Sequence, residues 1–155
     1  MALSGISTLG IRFSYASEVS AGVKPAAFTT LTRINSIGGL TAENETIDAS
    51  ALEDGTTQYV AGRGETGGNI IVTVNITPDT IDEWETLMSD AQDARENNKQ
   101  TWFQVYSPAL GGKAFFFTAD PPSAIPLPES GQNELWTVEM SLTVNEYKGL
   151  LEAVV

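Results

Sequence analysis

Two glycine-rich segments come closest, by residue type and spacing, to a phosphate-binding site. Residues 61–69 contain four glycines, but a dinucleotide-binding loop needs a strand before it and a helix after it, and here a strand pattern follows. The run Gly111-Gly112-Lys113 matches only the end of a P-loop, because Ala114 stands where the magnesium-binding hydroxyl belongs and Ser107 where the first glycine belongs. Turn glycines explain both segments better. We therefore predict no phosphate site.

Carboxylates are the other candidate for chemistry. Asp48, Glu53 and Asp54 lie close together in the sequence and have the side-chain type of an acid–base pair. Nothing around them predicts two different environments that would separate their pKa values. The alternating acidic ligands of an EF-hand are also missing, so no calcium loop is expected. A hydrolase that uses carboxylates alone stays open as an alternative.

Composition excludes several classes of protein. The 155 residues contain no cysteine and no histidine, which removes thiol chemistry, zinc knuckles and the common catalytic triads. A net charge of −12 argues against tight binding to a phosphate backbone. No apolar run approaches the ~20 residues of a membrane span, and no secretory signal opens the chain. We expect a cytoplasmic protein that is not an enzyme and has no cofactor, metal or membrane partner.

One segment has the pattern of an amphipathic helix. Ile81, Trp84, Leu87 and Met88 recur at helical spacing, and Thr80 followed by a glutamate three residues later has the pattern of a capping box. The prediction is one helix at about residues 80–96. Its other face is mostly acidic and is expected to face solvent.

The rest of the chain has strand patterns. Alternation of apolar and polar residues over 70–76 and 136–144 predicts two half-buried strands. Shorter strands are predicted at 11–17, 29–35, 45–49, 101–107 and 114–118, and residues 101–118 are expected to form a hairpin. Long connections are predicted at about 18–28, 50–69 and 119–133, and they are expected to order against partners. One hydrophobic centre is predicted to contain Val72, Val74, Ile76, Trp84, Leu87, Met88, Trp136, Val138, Met140 and Leu142. Trp102 is also expected to pack in the core.

One stretch resembles a known family. Residues 45–55, with the sequence ETIDASALEDG, are similar to the "E-x-I-D-V-T-x-L-D-D" segment of the major tail (tail tube) proteins of long non-contractile-tailed, lambda-like phages. Ala49 and Ser50 replace the usual Val and Thr. The similarity continues through Tyr59 and the glycine turn to the strand at 70–72, and a helix and a closing strand follow as in that family.

The resemblance implies an antiparallel β-sandwich or barrel-like fold of the mainly β (α+β) class, flanked by one helix. It implies a single tail-tube domain over residues 1–155 without the extra C-terminal immunoglobulin-like domain of some members. Six copies are expected to form a ring, and stacked rings a tube through which DNA leaves the capsid without specific binding. The implied partners are further copies, the tape-measure protein, and the tail tip and tail terminator proteins. The implied location is the virion tail, with assembly in the host cytoplasm.

Related tubes share the architecture, so a subunit of a secretion or contractile-tail tube stays open as an alternative. A free-standing β-sandwich binding or decoration module is an alternative from another class.

Two sets of residues are predicted to carry the function. On the strand faces opposite the core, the predicted lumen-lining residues are Thr73, Asn75, Thr137, Glu139, Ser141 and Thr143. The predicted assembly residues are Leu150, Leu151, Val154, Val155, Asp48, Leu52 and Tyr59. The apolar residues 150–155 are expected to dock on a neighbouring copy, with closure of the chain's own core as the alternative.

Overall fold

The computed structural model describes residues 5, 7, 9–40, 43–48, 51, 59–65 and 68–154, the segments 43–48 and 59–65 by their backbone alone. Nine strands and one α-helix make up this part of the chain. In chain order they are β1 (Arg12–Ser17), β2 (Thr29–Leu31), β3 (Ile34–Ile37), β4 (Glu43–Asp48), β5 (Tyr59–Glu65), β6 (Asn69–Asn75), α1 (Pro78–Glu96), β7 (Thr101–Tyr106), β8 (Lys113–Asp120) and β9 (Thr137–Glu152). The helix in this part of the chain is not long and apolar enough to cross a membrane.

Seven strands form one antiparallel sheet in the order β2-β1-β7-β8-β9-β6-β3. The two edge strands are consecutive in the chain: only two residues separate Leu31, at the end of β2, from Ile34, at the start of β3. Three Cα–Cα steps span at most about 11 Å, so the two edges meet at this corner and the sheet must curl round. The result is a mainly β, barrel-like α+β fold, which confirms the predicted fold class.

The inner face of the curled sheet carries the main hydrophobic core. Most residues predicted for one centre are there: Val72, Val74, Trp84, Leu87, Val138, Met140 and Leu142 are buried in one cluster, and Ile76 and Met88 are half-buried against it. Rings that the sequence analysis did not assign to the core lie at its centre. Phe103 stacks on Phe13 and on Phe117, with centroid distances of 5.5 and 5.3 Å.

The prediction for Trp136 was wrong, because 48% of this side chain is exposed. Trp136 precedes the first cross-strand pair of β9, Thr137 with Asn75, so it lies at the end of the sheet and is only partly covered. It still lines a small cavity of about 240 Å³ beneath the proline-rich loop at 121–136. The alternation along the strand thus predicted correctly which way the Trp136 side chain points, but not how deeply it is buried.

The helix begins at Pro78, two residues before the predicted start, and ends at Glu96 as predicted. Thr77 is the N-cap: its hydroxyl accepts a 3.1 Å hydrogen bond from the backbone N–H of Thr80, whose own hydroxyl accepts one of 2.9 Å from the N–H of Thr77. The predicted box with Thr80 as the cap was therefore one turn too late. Proline suits the first helical position because no N–H is needed there.

Two carboxylates on the helix hold it to the barrel. Both the N–H and the hydroxyl of Thr32, in the corner between β2 and β3, donate to Glu83 at 3.0–3.2 Å. Farther along, the Tyr15 hydroxyl donates to Asp90 at 3.2 Å. Burial is the main cause that raises the pKa of Tyr15 to about 12, and the negative charge of Asp90 is the next largest. The helix therefore covers the barrel interior next to the corner where the sheet closes.

Several predicted strand bounds differ from the structure. The hairpin over 101–118 is confirmed as β7 and β8, which pair antiparallel. The predicted strand 29–35 is divided into β2 and β3 by Thr32 and Arg33, and Arg33 has a positive φ of 56°. The closing strand continues to Glu152, eight residues past its predicted end, and register shifts mark its pairing with β8. The supposed long connection at 50–69 contains β5, which pairs with β4.

Candidate functional surfaces

The six predicted lumen-lining residues share one face of the β6–β9 pair. Thr73 lies directly opposite Glu139, and Asn75 lies opposite Thr137. The alternate pairs of this ladder, such as Val72 with Met140, point into the core. Ser141 and Thr143 complete the row on β9, facing Ile71 and Asn69 respectively. This outer polar face is defined by Asn69, Ile71, Thr73, Asn75, Thr137, Glu139, Ser141 and Thr143.

Glu139 is the one charged residue of the outer polar face, and no lysine or arginine belongs to it. Hydroxyl and amide groups supply the other polar contacts, while Ile71 is a half-exposed apolar exception at 48%. The edge strand β3 extends the surface, because the Asn35 side-chain amide donates to the Asn75 side chain at 3.2 Å. Sequence reasoning missed Asn35. The polar pair Asn35-Ser36 between two isoleucines was the signal that would have found it.

Neither glycine-rich segment forms a phosphate loop in the part of the chain that the structure describes. Residues 61–65 of the first glycine-rich segment lie in strand β5 rather than in a phosphate loop. Gly111 and Gly112 lie just before β8 with φ of 68° and 89°, the left-handed conformation of turn glycines. Asp48 lies in β4, and Glu53 and Asp54 are outside the described residues. In the described residues no group of three acidic side chains is arranged to hold a metal ion.

The predicted C-terminal assembly residues belong to the chain's own sheet. Leu150 and Leu151 lie in β9, opposite Phe115 and Ala114 of β8, and remain 45% and 36% exposed. Val154 is tied to the Gln104 side chain, which accepts from its N–H at 2.8 Å and donates to its carbonyl at 2.9 Å. These residues are thus strand and strand extension, not a free tail. Val155 and Leu52 are outside the described residues.

Asp48 and Tyr59, the other two predicted assembly residues, face each other across the β4–β5 ladder. This pair forms a two-stranded sheet separate from the seven-stranded one. An isolated two-stranded hairpin is marginally stable in water. We therefore expect the β4–β5 hairpin to gain stability by packing on another surface.

The connection at 18–28 lies on the outer face of the sheet at the β7–β8 hairpin. Glu18 is 5% exposed and accepts hydrogen bonds from the N–H groups of Gly22 and Gln100 and from the Trp102 indole, at 2.6–3.0 Å. Lys24 lies 5.0 Å from the centre of the Phe116 ring and donates to the Glu152 carbonyl at 2.8 Å. These contacts anchor the connection to its own chain, and its ordering against partners stays a prediction.

The same contacts cover a second hydrophobic cluster. Trp102, Ala114 and Phe116 are buried on the outer face, with Phe28, Ala153 and Val154 packed over them. Trp102 is therefore buried as predicted, but in a cluster separate from the main core. The outer face thus has an apolar, covered half at β7–β8 and a polar, exposed half at β6–β9.

The sequence has no match among protein-family models or curated proteins. Solved structures share the fold. A chain from the tail of the empty gene transfer agent (GTA) particle, refined with C6 symmetry, has a TM-score of 0.55 and 14% identity over 96% of this chain and 99% of that one. A chain from the anti-feeding prophage tube-terminating cap has a TM-score of 0.56 and 17% identity, covering 99% of this chain and 95% of that one. A chain from the anti-feeding prophage baseplate has a TM-score of 0.52 and 12% identity, covering 100% of this chain and 100% of that one.

Proposed function

We propose that this chain is a structural subunit of a phage tail or tail-like particle. In this proposal six copies form a ring, the rings stack into the tail tube, and DNA passes through the bore without specific binding. The subunit works in the virion tail and assembles in the host cytoplasm, with the tape-measure, tail tip and tail terminator proteins as its other partners. It has no catalytic role. The fold is shared with chains of tail particles. This similarity supports the proposal that the chain belongs to a particle of that class.

The outer polar face carries the proposal that this is the tube subunit. Its groups are hydroxyls and amides plus the carboxylate of Glu139, with no lysine or arginine. Each basic side chain that contacts a phosphate adds affinity by releasing counterions, so a wall without them lets DNA slide. A carboxylate also repels the duplex over roughly one Debye length, ~8 Å at physiological salt. Thr73, Asn75, Thr137, Ser141 and Thr143 would line the bore beside it.

Unpaired backbone in the monomer supports self-assembly. Strands β2 and β3 are the edges of the seven-stranded sheet, and edge strands expose N–H and C=O groups that pair readily with another chain. The β4–β5 hairpin, which contains Asp48 and Tyr59, pairs with no third strand among the described residues. Ring formation and stacking would cover the edge strands and the β4–β5 hairpin. Leu150 and Leu151 present exposed apolar side chains that would add to such contacts.

The similarity to chains of the anti-feeding prophage favours a second candidate of the same class. Those chains come from a baseplate and from a tube-terminating cap, which suggests a subunit that occurs at one end of a tail. Such a subunit would form one ring and stop. A tube subunit would continue to add rings.

Negative-stain microscopy of the purified protein at high concentration tests the proposal. A tube subunit gives rods of constant width with a central channel, and an end subunit gives single rings. Analytical ultracentrifugation of the same samples measures the size of the assembly. A protein that remains monomeric at the highest soluble concentration would contradict both candidates and favour a free-standing binding module.

A further inference from the structure

The molecule has two opposite ends along its longest strand. Strand β9 has 16 residues, which at about 3.3 Å per residue separates its ends by at most roughly 50 Å. At one end, Thr137 pairs with Asn75, the last residue of β6, and α1 begins shortly after. At the other end, Leu151 lies in one row with Ala114, Tyr106 and Arg12 on β8, β7 and β1.

The end at which β9 begins is acidic. Its exposed carboxylates, apart from that of Glu139 on the outer polar face, are Asp79, Asp82, Glu129 and Glu134. Among the described residues, Arg33 is the one basic residue of this region. Its backbone carbonyl accepts a hydrogen bond from the N–H of Asn75. The chain has no lysine or arginine between Lys113 and Lys148, which includes the whole loop at 121–136. We call this region the acidic end.

The end at which β9 finishes is basic. Arg12 and Lys113 are exposed there, and Lys24 and Lys148 lie over the rings of Phe116 and Trp102. Lys148 has an ion pair of 2.7 Å with Glu146, and Lys113 lies opposite Glu152 across the ladder. Among the described side chains, these four basic groups exceed the three carboxylates of this region, Glu146, Glu152 and the buried Glu18 beside Trp102. We call it the basic end.

Exposed apolar side chains lie at both ends. Leu127, Leu135 and Trp136 are 89%, 69% and 48% exposed at the acidic end. The basic end has a corresponding set, Leu9, Ile11, Phe115, Leu150 and Leu151, each at least 36% exposed. Ile11 and Phe115 also line an open groove of about 580 Å³ whose lining has no charged residue. Apolar centres with a charged rim are the composition of protein–protein interfaces.

We propose that the acidic end of one copy docks on the basic end of the next, so that copies join head to tail along β9. Contact between two acidic ends or between two basic ends would place like charges together, which disfavours it. Contact between unlike ends pairs the charges and covers both apolar sets. Such a heterologous contact repeats indefinitely unless it closes, which is the geometry of a growing rod. This inference rests on the proposed function and assigns the surfaces that stack.

Charge reversal at each end tests the inference. The first variant carries Arg12→Glu with Lys113→Glu at the basic end, and the second carries Glu129→Lys with Glu134→Lys at the acidic end. The first variant makes the basic end acidic, and the second removes the excess negative charge of the acidic end, so neither variant keeps two ends of opposite charge. We expect the protein concentration at which rods appear to rise by about tenfold or more for either variant alone. An equimolar mixture offers unlike ends again and should assemble as alternating rods near the wild-type concentration.

Matched controls change the net charge equally at another place. Arg95→Glu with Lys99→Glu matches the first variant, and Asp93→Lys with Glu96→Lys matches the second. Both controls lie near the end of α1, away from the two ends of β9, and should assemble like the wild type. Circular dichroism and thermal unfolding test whether every variant is folded. If an end variant is not folded, the milder change Lys113→Gln or Glu134→Gln replaces it.

The possible failures are distinguishable. Rods that form equally well from the wild type and from both end variants would overturn the end-to-end contact and leave the tube proposal intact. Folded variants that fail alone and also fail as a mixture would overturn it as well. A wild-type protein that remains monomeric would overturn the proposed function together with this inference.

Discussion

The carboxylate of Glu18 accepts a 3.0 Å hydrogen bond from the indole N–H of Trp102, and both side chains are buried. The two residues are 84 positions apart in the chain. Their contact joins the start of the 18–28 connection to the sheet face that this connection covers. It explains how a chain with few basic residues accommodates a buried carboxylate, because three N–H donors surround it.

Replacing Glu18 by alanine should destabilise the protein by about 2–4 kcal/mol, since it leaves buried donors without an acceptor. Glu18→Gln keeps one acceptor oxygen and should cost less. The free energy of unfolding in urea, followed by tryptophan fluorescence, measures both. Glu129→Ala, at an exposed position, is the control and should change little. A loss below half a kcal/mol for the alanine variant would show that the contact contributes little.

Leu142 tests the assignment of the closing strand. Its side chain is 0% exposed in the main core, so Leu142→Ala should cost about 2–5 kcal/mol of unfolding free energy. The neighbouring Ser141 points to the outer polar face, and Ser141→Ala should be nearly neutral. Chemical denaturation of the two variants measures the difference. Equal effects would mean that the alternation of faces is wrong.

Tyr15 should make stability depend on pH at high pH. Its folded pKa of about 12 exceeds the value of about 10 for an unperturbed tyrosine, so the folded state holds the proton more tightly. The stabilisation is therefore complete below pH 10 and is lost as the pH rises towards 12, by at most about 1.4 kcal/mol per pH unit. Tyr15→Phe should remove this part of the slope. Unfolding curves measured from pH 9 to 11 compare the two proteins, and identical slopes would contradict the assignment.

Glu139 tests the proposed channel wall. Its side chain is exposed opposite Thr73, so Glu139→Lys should leave the fold and the tube intact. Six added lysines per ring would attract phosphate groups, and genome ejection should slow at low salt. Glu85→Lys makes the same charge change on the exposed surface of α1 and should eject normally. Normal ejection by the Glu139 variant, or a tube structure with this residue on the outside, would end the repulsive-wall proposal.

The sequence by itself determined the properties that depend on local periodicity. Alternation along β6 and β9 identified which residues point inwards and which form the outer polar face, because successive side chains of a strand lie on opposite sides. The three-and-four spacing of Trp84, Leu87 and Met88 did the same for the helix. The lack of histidine and cysteine, likewise, was a fact of composition. These features need only a few neighbouring residues to be read.

Only the tertiary structure decided the features that depend on distant partners. Strand β5 lay inside a segment that was predicted to be a connection, since strand formation there comes from pairing with β4 and not from the propensity of its glycines. The extension of β9 to Glu152 required β8 beside it. The exposure of Trp136 depended on where the covering layer ends, and the burial of Glu18 on three donors from remote positions. Burial and edge pairing are sums over contacts far apart in the chain, so a local pattern of residue types does not contain them.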